Sequence, residues 1–174
     1  MKTDVRQVKA DARHLTFDSQ LGLMAVSAVE AGVTYVHMGV EEMKDAWGPE
    51  EATPVLSSAV EQLEAYFAGQ LEEFDLPLAA GGTDFQRRVW AELVKIPYGE
   101  TVSYLDIAER IGDRKAVRAV GLANGRNPIA IVVPCHRVIG ADGSLTGYGG
   151  GQPRKAFLLR LENAAMQMTQ QLAF

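Results

Sequence analysis

The 174-residue chain contains a single cysteine, Cys135, and only three histidines. One cysteine cannot form an intramolecular disulfide bond, and the histidines lack the paired spacing of a closed zinc site. These absences exclude a disulfide-stabilised fold. We also expect that the protein binds no metal and needs no cofactor.

Long apolar segments are missing as well. No apolar run approaches the ~20 residues of a membrane-spanning helix, and the first residues do not resemble a signal peptide. With 47% hydrophobic and 22% charged residues and a mean hydropathy of -0.04, the composition is globular rather than disordered, collagen-like or coiled-coil. We therefore expect a cytoplasmic protein that makes no contact with membranes.

Positive charge is scarce overall, since 17 Lys and Arg residues face 22 Asp and Glu residues, which gives a net charge of -5. Such a protein is not held on nucleic acid by bulk charge. The distribution is uneven, however: residues 1–80 contain five basic and fourteen acidic side chains, and residues 81–174 contain twelve basic and eight acidic ones. The C-terminal half can therefore present a basic face.

The first 80 residues are predicted to form an α/β domain with a small antiparallel sheet. β-Branched and aromatic residues around a turn at 30–32 predict strands between residues 15 and 40. Apolar residues at intervals of three and four then predict a helix that ends near Gly69. The segment 72–82 contains Pro77 and paired glycines, so it is interpreted as a linker, with a domain boundary near residue 80.

Residues 81–174 are predicted to be mainly helical. Thr83 and Gln86 have the spacing of a capping box at the start of one helix. Ser103 is suited to cap a helix over 104–111, and Asp113 to cap the next. Two short helices joined by a glycine-containing turn are typical of a helix-turn-helix, although such hairpins also occur as plain packing units.

The second helix of this pair has two unlike faces. One face is apolar and predicts contact with the core, and the other carries Arg114, Arg118, Gly121 and Gly125. Each helical glycine costs ~1 kcal/mol relative to alanine, which indicates that another backbone comes close. From these residues alone, contact with nucleic acid and a solvated charged face are equally supported.

The apolar run 129–133 predicts a buried strand or extended segment that leads into Pro134-Cys135-His136-Arg137. A lone cysteine is more often a buried hydrophobic residue than a nucleophile. A neighbouring histidine or arginine changes this balance, because it lowers a thiol pKa from ~8.5 to below ~7.5. We therefore expect a depressed pKa for Cys135. On an extended segment, His136 needs a turn or a bridging water to reach the sulfur.

Glu162 lies at the edge of the apolar stripe of the last predicted helix. That stripe consists of Phe157, Leu158, Leu161 and Ala165. Two interpretations stay open: a surface acid, or a carboxylate that orients His136 in a Cys-His-Glu relay. By default, Asn127 is a turn residue and Tyr104 is a packing or cap-neighbouring residue.

The segment 134–140, Pro-Cys-His-Arg-Val-Ile-Gly, strongly resembles the active-site signature of the O6-alkylguanine-DNA alkyltransferases, also called methylated-DNA–protein-cysteine methyltransferases. The resemblance covers residues 83–163, including the motifs at 97–104, 118–121 and 125–128. The N-terminal half matches only in size and coarse α/β pattern. The resemblance implies a ribonuclease H-like domain over residues 1–80 and a winged-helix-like domain with a helix-turn-helix over residues 81–174.

It also implies direct, stoichiometric DNA repair. The protein would transfer an alkyl group irreversibly from O6-alkylguanine, and also from O4-alkylthymine, to Cys135, and would thereby be consumed. His136 would deprotonate the thiol through a water and Glu162 would orient His136. Asn127 would brace the turn, and Tyr104 would protonate guanine N3 as the base leaves.

The partner implied is double-stranded DNA, bound in the minor groove by a monomer. Arg118 would fill the space left by the flipped base, because a thiolate cannot reach a base inside the stack. The other expected DNA contacts are Arg114, Ser103, Ala119 and Gly121. The expected walls of the base pocket are Val133, Gly147, Tyr148 and Gly149.

Two departures from the family pattern accompany this resemblance. No cysteine precedes Cys135, so the N-terminal zinc site of some members is not expected. Gly149 and Gly150 stand where other members carry a hydroxyl or bulkier residue, which predicts a wider pocket. The alternatives are a DNA-binding module, either a lesion binder without repair activity or a regulator, and a thiol hydrolase with an acyl-enzyme.

Overall fold

A computed structural model describes residues 11–40, 47–146 and 148–172, with side chains described as far as residue 163. The chain divides between Gly81 and Gly82 into two compact units. Within these described ranges, no helix combines the length and the apolar composition needed to cross a lipid bilayer.

The N-terminal unit is an antiparallel three-stranded meander covered by one helix. The strands are β1 (Arg13–Ser19), β2 (Gly22–Val29) and β3 (Gly32–Met38), in the spatial order β1-β2-β3. Helix α1 (Pro54–Phe67) packs against the sheet and begins at Thr53, whose side chain accepts a hydrogen bond from the Leu56 amide. The predicted small antiparallel sheet and its helix are thus confirmed.

The interpretation of 72–82 as a linker is wrong for its middle residues. The amide of Val33 donates to the carbonyl of Pro77, and the amide of Ala79 donates to the carbonyl of Val33, both at 2.8 Å. Residues 77–79 therefore extend the sheet beside β3. The edge of β3 presents unpaired backbone groups, and pairing satisfies them.

The C-terminal unit is mainly helical, as predicted. Its helices are α2 (Asp84–Leu93), α3 (Tyr104–Arg110), α4 (Val117–Gly125) and α5 (Gln152–Leu172). Two short strands, β4 (Val102–Ser103) and β5 (Val138–Ile139), pair in parallel. Helices α3 and α4 form the expected helix-turn-helix, joined by a turn at Gly112 and one 3₁₀ turn over Arg114–Ala116.

Local capping explains where two of these helices begin. Thr83 and Gln86 form a reciprocal capping box at α2, and Ser103 and Asp106 form another at α3. The indole N–H of Trp90 on α2 donates to the carbonyl of Ala123 on α4 at 2.9 Å. This bond fixes one side of α4 against the core.

The predicted strand at 129–133 is instead a tight, buried turn. The amide of Val133 donates to the carbonyl of Ile129 at 2.9 Å, and Ile131 adopts a left-handed φ of 72°. A β-branched residue in this region is disfavoured by ~1–2 kcal/mol, so the surrounding packing must hold it there. An apolar run indicates burial but not chain direction, and here the turn delivers residues 135–137 as one 3₁₀ turn.

Two glycines of the N-terminal unit, Gly48 and Gly69, have a left-handed backbone conformation but differ in their surroundings. Gly48 has φ +74°, and a Cβ there would lie 1.8 Å from the carbonyl oxygen of Ala12; Gly69 has φ +71° with nothing within 4 Å. We expect Gly69→Ala to lower the free energy of unfolding by ~1–2 kcal/mol, and Gly48→Ala to lower it at least twice as much. Urea unfolding followed by circular dichroism measures both, and equal losses would contradict the close approach at Gly48.

Candidate active site

The thiol of Cys135 is buried, with only 3% of the residue exposed. The side-chain amide of Asn127 donates to its sulfur at 3.1 Å and to the carbonyl of Val133 at 2.7 Å. The oxygen of the same amide accepts from the Ile129 amide at 3.0 Å. Asn127 therefore ties the sulfur to the buried turn, and Asn124 adds a bond to the carbonyl of Cys135 at 3.3 Å.

Burial raises the pKa of Cys135 to about 11, although the Asn127 hydrogen bond and the charge of Lys155 act in the opposite direction. The expected depressed pKa is therefore wrong. Desolvation of the thiolate outweighs the favourable neighbours, so the thiol keeps its proton at neutral pH. A base must remove this proton if the sulfur is to react.

His136 and Glu162 form a fully buried pair, with Nε2 of the imidazole 2.6 Å from Oε1 of the carboxylate. A carboxylate only accepts hydrogen bonds, so Nε2 carries the hydrogen and Nδ1 carries the lone pair. Among the described residues, this buried Nδ1 has no hydrogen-bond partner. Burial also lowers the pKa of His136, which keeps the imidazole neutral and able to accept a proton.

Glu162 is the acceptor of a dense hydrogen-bond cluster rather than a surface acid. Besides His136, it receives Nε and Nη2 of Arg137, each at 3.0 Å, and the Gly99 amide at 3.2 Å. Burial alone raises the pKa of Glu162, but the hydrogen bonds and charges of His136 and Arg137 outweigh it and lower the pKa to about 2. The carboxylate is therefore ionised under all ordinary conditions.

Two cations of this site, Arg137 and Lys155, are buried, which the sequence analysis did not predict. Arg137 is only 5% exposed and also donates to the carbonyl of Ile96 at 2.7 Å. Lys155 is fully buried, donates to the carbonyls of Val138 and Thr146, and has its pKa lowered to about 8 by burial. Both lie close to the segment of Cys135, so the site is more strongly charged than its motif indicates.

The spacing on α5 could have revealed Lys155. Lys155, Leu158 and Glu162 follow one another at steps of three and four and are all buried. The predicted inward stripe is shifted from this one, since Phe157 and Leu161 are only half-buried. The side chain of Ala165 lies outside the described residues. Glu162 lies on this buried face, but a stripe defined by apolar residues alone places it at the edge.

Tyr104 is brought to the site by the pairing of β4 with β5. Its hydroxyl donates to the carbonyl of Thr146, which also accepts from Lys155. Burial raises the pKa of Tyr104, so the phenol keeps its proton at neutral pH. The ammonium nitrogen of Lys155 also lies 5.8 Å from the ring centres of Tyr104 and Tyr148.

The expected base-pocket residues are only partly described. Val133 is buried and Tyr148 is half-buried, whereas Gly147 lies outside the described residues. A Cβ on Gly149 would lie 2.7 Å from the carbonyl oxygen of Gly125. The space that a side chain would need there is filled by the end of α4, so the expected widening of the pocket at Gly149 is wrong.

Three of the five predicted DNA-contacting residues lie on the exposed face of the helix-turn-helix, and two are half-buried. Arg118 and Ala119 are exposed, and the exposed guanidinium of Arg114 lies 3.4 Å from the carboxylate of Glu109. Gly121 is half-buried and faces the ring of Tyr104. The hydroxyl of Ser103 is engaged in capping α3.

In the part of the chain that the structure describes, no group of His, Cys, Asp or Glu side chains could hold a metal ion.

Two family models match this chain. The one described as the ribonuclease-like domain of 6-O-methylguanine DNA methyltransferase matches residues 13–80. The one described as the DNA binding domain of 6-O-methylguanine DNA methyltransferase matches residues 84–164. Together they span most of the sequence.

Relatives and solved structures agree with these matches. The methylated-DNA–protein-cysteine methyltransferase of Mycobacterium bovis is 54% identical over 86% of this chain and 91% of its own length. That of Methanosarcina acetivorans is 53% identical over 85% of this chain and 96% of its own length. The structure of Mycobacterium tuberculosis OGT in complex with DNA superposes with a TM-score of 0.81, at 53% identity, over 88% of this chain and 94% of that chain.

The buried pair predicts how stability depends on pH. The pKa of His136 is lowered from its ordinary value near ~6.5, and that of Glu162 falls from ~4.3 to about 2. In both cases the unfolded chain binds more protons than the folded one. The free energy of unfolding should therefore decrease as the pH falls, first below ~6.5 and then between ~4.3 and ~2.

Glu162→Gln isolates the contribution of the carboxylate. At neutral pH, the variant should be less stable than the wild type by about 3 kcal/mol, because Arg137 loses its buried counter-charge. The free energies of unfolding of the two proteins should converge as the pH falls toward ~2, where the wild-type carboxylate also loses its charge. Urea unfolding at a series of pH values measures this difference, and a gap that stays constant with pH would contradict the assignment.

Proposed function

The chain belongs to the 6-O-methylguanine DNA methyltransferase family, and we propose that Cys135 is the residue to which it transfers the alkyl group of O6-alkylguanine in DNA. The observation that carries this proposal is the sole cysteine of the chain, buried next to a neutral imidazole that a carboxylate holds in place. The protein repairs DNA directly. The product is a thioether, which has no thiol to regenerate, so each molecule acts once.

The proton of the thiol is proposed to pass to His136. Glu162 fixes the hydrogen on Nε2, which leaves the lone pair of Nδ1 as the base. His136 follows Cys135 within one 3₁₀ turn, and a bridging water completes the path from sulfur to Nδ1. Arg137 keeps the carboxylate ionised, and the ionised carboxylate stabilises the imidazolium that forms.

The sulfur then attacks the alkyl carbon while the bond from that carbon to O6 breaks. Electrons from this bond move into the guanine ring, which needs a proton. We assign this proton to Tyr104, whose phenol is protonated at neutral pH because burial raises its pKa. The negative charge that develops on the ring as the bond to O6 breaks draws the proton from the phenol. The thiol proton goes to His136 and a proton from Tyr104 goes to the base, so the imidazolium and the phenolate remain. A proton then passes through solvent from the imidazolium to the phenolate, which restores both side chains and balances the overall transfer. O4-alkylthymine presents the same alkyl–oxygen bond and is proposed as a second substrate.

The target base must leave the helical stack before a buried sulfur can reach it. We propose that α4 enters the minor groove, that Arg118 fills the gap, and that the base rotates toward Tyr148 and Val133. The exposure of Arg118 and Ala119 supports this placement. We further propose that the protein binds DNA as a monomer and acts in the cytoplasm, where a free thiol stays reduced.

The transfer is tested by intact mass after incubation with a duplex that contains O6-methylguanine. We expect the mass of the wild type to rise by one methyl group and that of Cys135→Ser to stay unchanged. A hydrolase with the same three residues would regain its thiol and turn over repeatedly. Repeated turnover, or a methyl group on another residue, would refute the assignment of Cys135.

Two arginines on the same face separate binding from base rotation. Arg118→Ala should slow repair of duplex O6-methylguanine by a factor of about ten or more, while its reaction with the free base should stay close to that of the wild type, because the free base needs no extrusion. Arg114→Ala should weaken duplex binding modestly and reduce the slope of log affinity against log salt concentration by about one. Equal losses on duplex and free base for Arg118→Ala would show that Arg118 does not fill the gap.

A further inference from the structure

Among the large hydrophobic side chains that the structure describes, Leu122 is the most exposed, with 62% of its surface accessible. It lies on α4, on the side away from the buried residues Val120 and Ala123. A single exposed leucine needs no explanation by itself. The position of Leu122 does need an explanation. Arg118 precedes it by four residues and Arg126 follows it by four, so all three side chains share one helix face.

The surroundings of Leu122 are basic and poor in acidic groups. Lys115, Arg118 and Arg126 are exposed near it, and α4 itself contains no acidic residue. A face of this kind complements the phosphates on both sides of a DNA groove, with the apolar side chain between them. A protein partner that binds an apolar patch would be matched poorly by one leucine among several positive charges.

Resting on the proposed docking of α4 in the minor groove, we propose that Leu122 is a specificity-determining residue that contacts the groove floor and disfavours guanine in the base pair beneath it. In the minor groove only G·C pairs carry a hydrogen-bond donor, the N2 amino group of guanine. Leucine has no acceptor for this group. Burial of the amino group under Leu122 removes its hydrogen bonds to water without replacing them.

The helix geometry places this contact close to the lesion. Four residues along a helix span ~6 Å, and neighbouring base pairs are ~3.4 Å apart. Leu122 therefore reaches the first or second pair beside the gap that Arg118 fills. The consequence is a repair rate that depends on the sequence flanking the alkylated guanine, and A·T pairs are favoured at this position.

The test uses duplexes in which each guanine next to O6-methylguanine is replaced in turn by inosine, which lacks only the N2 amino group. Affinity is measured in the Cys135→Ser background, because alkyl transfer would otherwise consume the complex. At the contacted pair, inosine should tighten binding by the protein with Leu122 about three- to tenfold. In Leu122→Ala the same replacement should change binding less than about twofold.

A second variant should reverse the preference between guanine and inosine. Leu122→Asn supplies an acceptor for the amino group, so guanine should be preferred over inosine at the same pair. Salt dependence should be unchanged in both variants, since no charge is removed. If inosine has the same effect with leucine, alanine and asparagine, or none at any pair, Leu122 does not read the groove.

Failure of this inference is distinguishable from failure of the proposed docking. Arg118→Ala and Arg114→Ala serve as matched controls on the same helix face. If these two variants leave duplex binding unchanged, α4 is not in the groove and the docking itself is wrong. If they weaken binding while the inosine effect is independent of residue 122, only the role of Leu122 is wrong.

Discussion

The ionised carboxylate of Glu162, held without access to water, is the constraint on which the C-terminal unit depends. Its partners come from two separate parts of the chain, the turn at Gly99 and the 3₁₀ turn at His136 and Arg137, and Glu162 itself lies on α5. Loss of one partner leaves a buried charge incompletely paired, which costs far more than a surface contact. The cluster therefore holds the fold together and also fixes which nitrogen of His136 can take a proton.

The nucleophile is controlled by desolvation. Asn127 holds the turn at 129–133 with two hydrogen bonds and the sulfur of Cys135 with a third, and the pKa of the thiol is raised rather than lowered. A protonated, buried thiol reacts slowly with small electrophiles from solution. For a protein that acts once, this would protect the sulfur until the alkylated base is bound and, in the proposed mechanism, His136 removes the proton.

Helix α4 and the loop that carries Gly149 are physically connected. One side of α4 is anchored by Trp90 and buried residues, while the other side stays exposed. The end of this helix touches the loop that carries Gly149, with no room for a side chain between them. Whatever displaces α4 therefore also displaces this loop, which would couple the proposed groove contacts of α4 to the proposed base pocket.

The sequence alone determined the features that arise from neighbours a few residues apart. The capping box at Thr83, the cap at Ser103, the helix α1 and the helix-turn-helix follow from spacing and from short side-chain to backbone bonds, and all are observed. The motif around Cys135 also identified the family. These signals are local, so they can be read before the chain is folded.

Only the tertiary structure decided which polar groups are removed from water. The burial of Glu162 and Lys155, the pairing of Arg137, and the raised pKa of Cys135 depend on atoms from distant parts of the chain. The turn at 129–133 likewise has the composition of a strand and is bent by its surroundings. Desolvation is set by the volume packed around a group, and linear spacing carries no measure of that volume.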